Sequence, residues 1–242
     1  MGSFDEWVLV QRGLTTAEWK AELHTLQSSS SLDELKLWVD DVDPELLKVR
    51  GELLGTEQDS QKSRCGSTLG KLQTIRSLQI RIKSWASSTS AYLSGLVSGL
   101  ERSPNLRIET LSIDSLRKSS DAIYISEIIR RTTKLQVLTF GECESERLSE
   151  DAVESLASSI AEAVQLNLVE LGFRDIRTTK GLFELLRKVF PAETDSDRRY
   201  LRKLSFKGAY GFPKEGWGLF PVLAGNNISA ISIHHYEAPH PL

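Results

Sequence analysis

Along this chain one short figure recurs: an apolar residue, two residues of any kind, a second apolar residue, one residue of any kind, and a third apolar residue. It fits at Phe4/Trp7/Leu9, Leu32/Leu35/Leu37, Ile75/Leu78/Ile80 and Ile108/Leu111/Ile113. It returns at Leu135/Leu138/Phe140, Leu168/Leu171/Phe173, Leu201/Leu204/Phe206 and Ile228/Ile231/Ile233. Measured at the middle residue, the steps are 28, 43, 33, 27, 33, 33 and 27 residues. The last two apolar residues of each figure alternate with other residues, the period of a half-buried strand. Eight short strands are predicted.

Between the figures the period lengthens to that of a helix. Leu93, Leu96, Val97 and Leu100 fall at i, i+3, i+4 and i+7, and so do Leu182, Leu185, Leu186 and Val189. Val153, Leu156, Ala157 and Ile160 make a third such face, Ile125, Ile128 and Ile129 a fourth, and Trp19, Leu23 and Leu26 a fifth. Asp43-Pro44 puts a capping side chain before a proline suited to the first helical position, and Ser149 and Thr179 are candidate caps for two further helices.

Each unit is therefore a strand, a turn, a helix and a return loop, and no single unit can bury its own apolar face. Stacked units share one core, with the strands side by side in a parallel sheet and the helices behind it. Helices need more room than strands, so the array is expected to curve, with the sheet concave and the helices convex. The expected fold is an α/β solenoid of about eight irregular repeats, forming a single domain over residues 1–242. Two polar, aperiodic stretches interrupt it near residues 55–70 and 191–200 and read as surface loops.

The repeating residues resemble the leucine-rich repeats of the helix-containing, ribonuclease-inhibitor-like type, whose unit opens L-x-x-L-x-L-x-x-N/C-x-L. "LQVLTFGEC", Leu135 to Cys143, matches through the N/C position, and "LDELKLWVD", Leu32 to Asp40, matches with Asp in that place. The resemblance spans residues 4 to 233. Lys83, Leu116, Ile176, Ala209 and Tyr236 depart from it at the N/C position, so a full asparagine ladder is not expected. The resemblance implies a recognition surface and no chemistry of its own. Such repeats often serve as arms of larger proteins, including ubiquitin-ligase receptors and immune or signalling receptors. With no capping motif at either end of the array, the chain reads either as a free-standing module or as part of such a protein.

Charge and composition narrow the field. Of the 242 residues, 40% are apolar and 26% charged, and the formal net charge is −3. No global field draws such a chain onto nucleic acid or an anionic membrane. The two cysteines, Cys65 and Cys143, are too few for a disulfide scaffold. No apolar run reaches membrane-spanning length, and "MGSFDEWVLV" is not a signal peptide. Myristoylation of Gly2 would want Ser or Thr where Glu6 stands. The single sequon, Asn227-Ile228-Ser229, carries no weight without a secretory route. A cytoplasmic protein is expected.

Candidate chemistry is sparse. "GSTLGKL", Gly66 to Leu72, imitates a phosphate loop, but only three residues separate its glycines and Leu72 replaces the Ser or Thr that would meet magnesium. It also runs toward a predicted strand, whereas a phosphate loop opens a helix whose N-terminus holds the anion. "HHYEAPH" gathers His234, His235, Glu237 and His240, either a metal cluster or a Pro-containing tail. Cys143 sits at the ladder position, where a buried structural thiol belongs. No catalytic signature emerges, so no enzyme, cofactor or metal is expected.

Function is then expected on the concave sheet, in non-enzymatic binding of another protein. The residues between and just after the core positions point there. The candidate partner-binding set is Glu34, Lys36, Trp38, Gln79, Arg81, Asp114, Arg174, Lys203, Lys207 and His234. Trp and Arg are the types most enriched in interface hot spots, although Trp38 can equally pack against a neighbouring unit. The face grades from Glu6 and Glu34 at one end to Arg174, Lys203 and Lys207 at the other, a distribution suited to a polypeptide of mixed charge.

Overall fold

The structure is a computed structural model that describes residues 6–11, 17–18, 21, 33–39, 75–82, 89–100, 107–114, 116–142, 147–174, 180–190, 201–209 and 228–235. Eight strands form one sheet in strictly sequential order, and every neighbouring pair is parallel. They are β1 (Glu6–Gln11), β2 (Glu34–Val39), β3 (Ser77–Ile82), β4 (Thr110–Asp114), β5 (Val137–Gly141), β6 (Glu170–Arg174), β7 (Lys203–Ala209) and β8 (Ala230–His235). Each lies on one of the eight apolar figures. Among the described residues four helices alternate with them: α1 (Thr89–Leu100), α2 (Ser119–Arg131), α3 (Glu150–Leu166) and α4 (Lys180–Val189). The protein is thus an α/β fold built on a single parallel sheet.

The apolar figures build the core as their period requires. Leu78, Leu111, Leu138, Leu171 and Leu204 are in register across five strands, and Ile80, Ile113, Phe140, Phe173 and Phe206 form the parallel row two residues on. All ten are buried, in one cluster with the predicted helix positions Leu93, Leu96, Ile125, Ile128, Leu156, Ile160, Leu182 and Leu185. Each of the four helices packs against the next. Phe140, Phe173 and Phe206 stack, with ring centroids 5.9 and 5.5 Å apart and planes inclined by 20° and 15°. This aromatic column runs perpendicular to the strands and ties three units through one contact surface.

A second repeated device sits at the entries of β3 to β8. A single carbonyl accepts two consecutive N–H groups from the following unit. Asp33 O receives Arg76 and Ser77, Arg76 O receives Glu109 and Thr110, and Glu109 O receives Gln136 and Val137. Gln136, Val169 and Arg202 do the same for the next three units, all at 2.8–3.1 Å. Chain separations of 43, 33 and 27 residues give one geometry, so the ladder fixes the spacing and the segment between strands absorbs the difference. Between the 27- and 33-residue units part of it is helix length, 13 residues in α2 against 17 in α3.

Helix ends are secured locally. Ser149 caps α3, accepting from Ala152 N–H at 3.4 Å, as its sequence position predicts. Thr132 Oγ1 closes α2 by donating to Ile128 O and Ile129 O at 3.1 and 2.8 Å. Asn167, after α3, donates through Nδ2 to Thr133 O of the preceding unit at 2.7 Å.

One expectation differs. Ile231, the middle residue of the last figure, is 37% exposed, whereas its equivalents in β2 to β7 are buried. It lies on the edge strand, flanked in the sheet by β7 alone, so the described structure covers it from one side. The predicted inserts near 55–70 and 191–200, the first-interval positions Trp19, Leu23 and Leu26, the candidate caps Asp43-Pro44 and Thr179, and Cys143 lie outside the described residues.

Candidate functional site

Because side chains alternate along a strand, the residues between the core positions share the sheet's second face. The register arranges them in three rows crossing the strands. The first row runs Glu34, Ser77, Thr110, Val137, Glu170, Lys203, Ala230. The middle row runs Lys36, Gln79, Ser112, Thr139, Gly172, Ser205, Ser232. The third runs Trp38, Arg81, Asp114, Gly141, Arg174, Lys207, His234. By register, all ten sequence-predicted binding positions fall in these three rows. The side chains of Trp38 and His234 lie outside the described residues, as does the Gly66–Leu72 loop.

The third row holds the face's best-defined contact. Arg174 Nη2 donates to Asp114 Oδ1 at 2.7 Å, reaching from β6 across β5 to β4. Gly141 makes this possible. A Cβ at that position would stand 2.3 Å from Asp114 Oδ1 and 3.5 Å from Arg174 Nη2. A glycine inside a strand often marks such a close approach. Gln79 Nε2 donates to the other carboxylate oxygen, Asp114 Oδ2, at 2.7 Å. The Asp114 side chain is only 11% exposed while that of Arg174 is 44% exposed. The carboxylate is sunk into the face and the guanidinium lies over it.

Gly172, one row back on β6, plays a related part. A Cβ there would lie 3.1 Å from both Thr139 Oγ1 and Ser205 Oγ. The middle row is thus low and rich in hydroxyls at β4 to β7, and Ser205 Oγ donates to Glu170 Oε1 at 3.4 Å. In the first row Lys203 Nζ pairs with Glu170 Oε1 at 2.9 Å, and at the far end Lys36 Nζ approaches Glu34 Oε1 at 3.9 Å.

These contacts change the picture of a simple charge gradient along the array. Lys203 has an acidic partner beside it in its own row, and Arg174 is anchored on Asp114. Gly141 and Gly172 shape the face, yet they are absent from the candidate set. Their signal in the sequence was a glycine at the face position of an otherwise regular strand. Among the described residues no three His, Cys, Asp or Glu side chains gather as a metal site, and no helix is long and apolar enough to cross a membrane.

A separate polar cluster joins the helix N-termini behind the sheet. Ser90 Oγ of α1 donates to Asp121 Oδ1 of α2 at 2.5 Å and lies 2.7 Å from Ser120 Oγ. Ser119 Oγ accepts from Ser149 N–H at 2.7 Å. Asp121 is 1% exposed. Burial raises its carboxyl above the ordinary value of 3.8, opposed by the Ser90 hydrogen bond, the nearby Lys118 charge and Ser120. This cluster links helix to helix.

No protein-family model and no curated protein sequence matches the chain.

Proposed function

We propose that the chain is a leucine-rich-repeat array of the helix-containing type, and that it acts as a non-enzymatic module binding another polypeptide on the polar, concave face of its sheet. The observation that carries this reading is the face itself. Seven strands, β2 to β8, align three rows of mostly polar and charged residues in register, with a low hydroxyl-lined strip in the middle at β4 to β7. A broad, regular surface of this kind gives large contact area, whereas catalysis requires convergent groups in a desolvated pocket.

The test blocks the strip without changing charge. Ser112→Tyr combined with Thr139→Tyr puts two bulky residues of good strand propensity on the middle row. Wild type and this variant, both shown to be folded by circular dichroism, are used for affinity capture from an extract of the source organism. The expected result is a partner retained by wild type and lost by the blocked variant. A partner held equally by both would place binding elsewhere and end the reading. Arg174 is best left out of such a variant, because its guanidinium also organises Asp114.

A further inference from the structure

The rows of the polar face differ in sign. In the first, Glu34 and Glu170 accompany one cation, Lys203, and Glu6 of β1 holds the same register position. In the third, Arg81, Arg174 and Lys207 accompany one anion, Asp114. Charge is therefore segregated along the strand axis, and less so from one end of the array to the other. The two rows lie four residues apart, about 13 Å at ~3.3 Å per residue. That exceeds the screening length of about 8 Å at physiological salt, so each row acts as its own field.

Strands β6 and β7 make the contrast sharpest. In the first row they set Glu170 directly opposite Lys203, and the two pair at 2.9 Å. In the third row the same strands set Arg174 directly opposite Lys207. Like charges facing each other across a ladder are destabilising. Asp114 offsets Arg174 from the β4 side, where it is already held at 2.7 Å. Lys207 is exposed and forms no ion pair with an acidic side chain among the described residues. An anionic group placed over this end of the strands would relieve that juxtaposition.

We infer that the polar face takes an acidic segment of a partner polypeptide, which crosses the strands with its carboxylates over the Arg81–Arg174–Lys207 row and its backbone along the hydroxyl strip. This rests on the binding reading above and adds the partner's chemistry. The row from β3 to β7 spans four strand steps, about 19 Å at ~4.8 Å each, a length that roughly six extended residues cover. Ser112, Thr139 and Ser205 offer hydroxyls to such a backbone. Nucleic acid suits the face less well. Nucleic-acid binding draws on many phosphate contacts, whereas this row supplies three cations in a chain of net charge −3.

The probe is a fluorescein-labelled octaglutamate followed by anisotropy, beside octalysine, a neutral Gly-Ser octamer and an eight-residue oligothymidylate. Wild type is expected to bind octaglutamate in preference to the other three, more weakly as salt is added. Arg81→Glu with Lys207→Glu should weaken binding by roughly tenfold or more, as loss of close charge complementarity does. The milder pair Arg81→Gln with Lys207→Gln serves if the reversal disturbs folding. Glu34→Lys with Glu170→Lys removes anions from the same face and should tighten octaglutamate binding; weaker binding would count against the inference. The inference is overturned if octaglutamate binds no better than the neutral peptide, if third-row variants bind it as wild type does, or if the oligonucleotide or octalysine binds more tightly. A natural partner lost by the Ser112→Tyr/Thr139→Tyr variant yet held by the third-row variants would also overturn it, while leaving the face as the binding surface.

Discussion

Gly141 shows how much one missing side chain can decide. Its backbone lies beneath the path from Arg174 to Asp114, and the first carbon of any side chain would enter the carboxylate. Gly141→Ala should therefore push Asp114 off its position and lose the 2.7 Å contact, at a cost of about 1–3 kcal/mol, the range for disturbing a buried, hydrogen-bonded acceptor. Equilibrium urea unfolding measures this directly. In an Asp114→Ala background the obstruction is gone, and Gly141→Ala should then change stability by less than about 0.5 kcal/mol. A full cost that persists in that background would mean that the glycine serves backbone geometry instead. None of this was legible in the sequence, where Asp114 and Arg174 are 60 residues apart. Both were identified as face residues by period. Their meeting depends on a register that periodicity does not supply, and on the emptiness of the position between them.

At the scale of elements, the apolar figures were sufficient to locate all eight strands, and the apolar faces of α1 to α4 were legible from residues at i, i+3 and i+4. The cap at Ser149 was legible too, because capping is a local event. The Ser90–Asp121 link between α1 and α2 was not, since a Ser-Ser-Asp helix start reads as solvated unless the neighbouring helix is known to cover it. That link carries a pH signature. Burial raises the folded-state carboxyl, so between the ordinary value of 3.8 and the raised one the native protein keeps a proton that the unfolded chain has released. Stability from this group is thus lost as pH rises through the folded value and regained as pH falls. Asp121→Asn keeps an oxygen to accept from Ser90 and removes the charge. It should be more stable than wild type at pH 7, with the difference shrinking toward pH 4, as read from urea midpoints at the two values. A variant less stable than wild type at pH 7 would show that the ionised carboxylate is needed for the link.

At the scale of the molecule, the core is one continuous layer whose central units are joined by the aromatic column. Phe173 stacks on both Phe140 and Phe206, so it belongs to three units at once. Phe173→Ala should cost about 3–5 kcal/mol, the range for emptying a buried aromatic site. In a linear array the loss should also show as weakened cooperativity, because each unit depends on its neighbours. Hydrogen exchange on the variant should report β5 to β7 opening together and more readily than β3 and β4. Equal loss of protection across the sheet would argue for a single indivisible unit.

The shared carbonyl at each strand entry has a consequence for how such a chain can change over time. Two N–H groups fastened to one oxygen set each strand's starting point whether the intervening segment has 27 residues or 43. The sheet behaves as a rack whose teeth are spaced by hydrogen bonds, and the length of chain between teeth is free to differ. Residues can be added or removed between the strands while every position on the polar face keeps its neighbours. The same residue added inside a strand would move all subsequent side chains in that strand to the opposite side. Insertions and deletions accepted by this protein should therefore gather between the strands, and the three rows should pass through them unaltered.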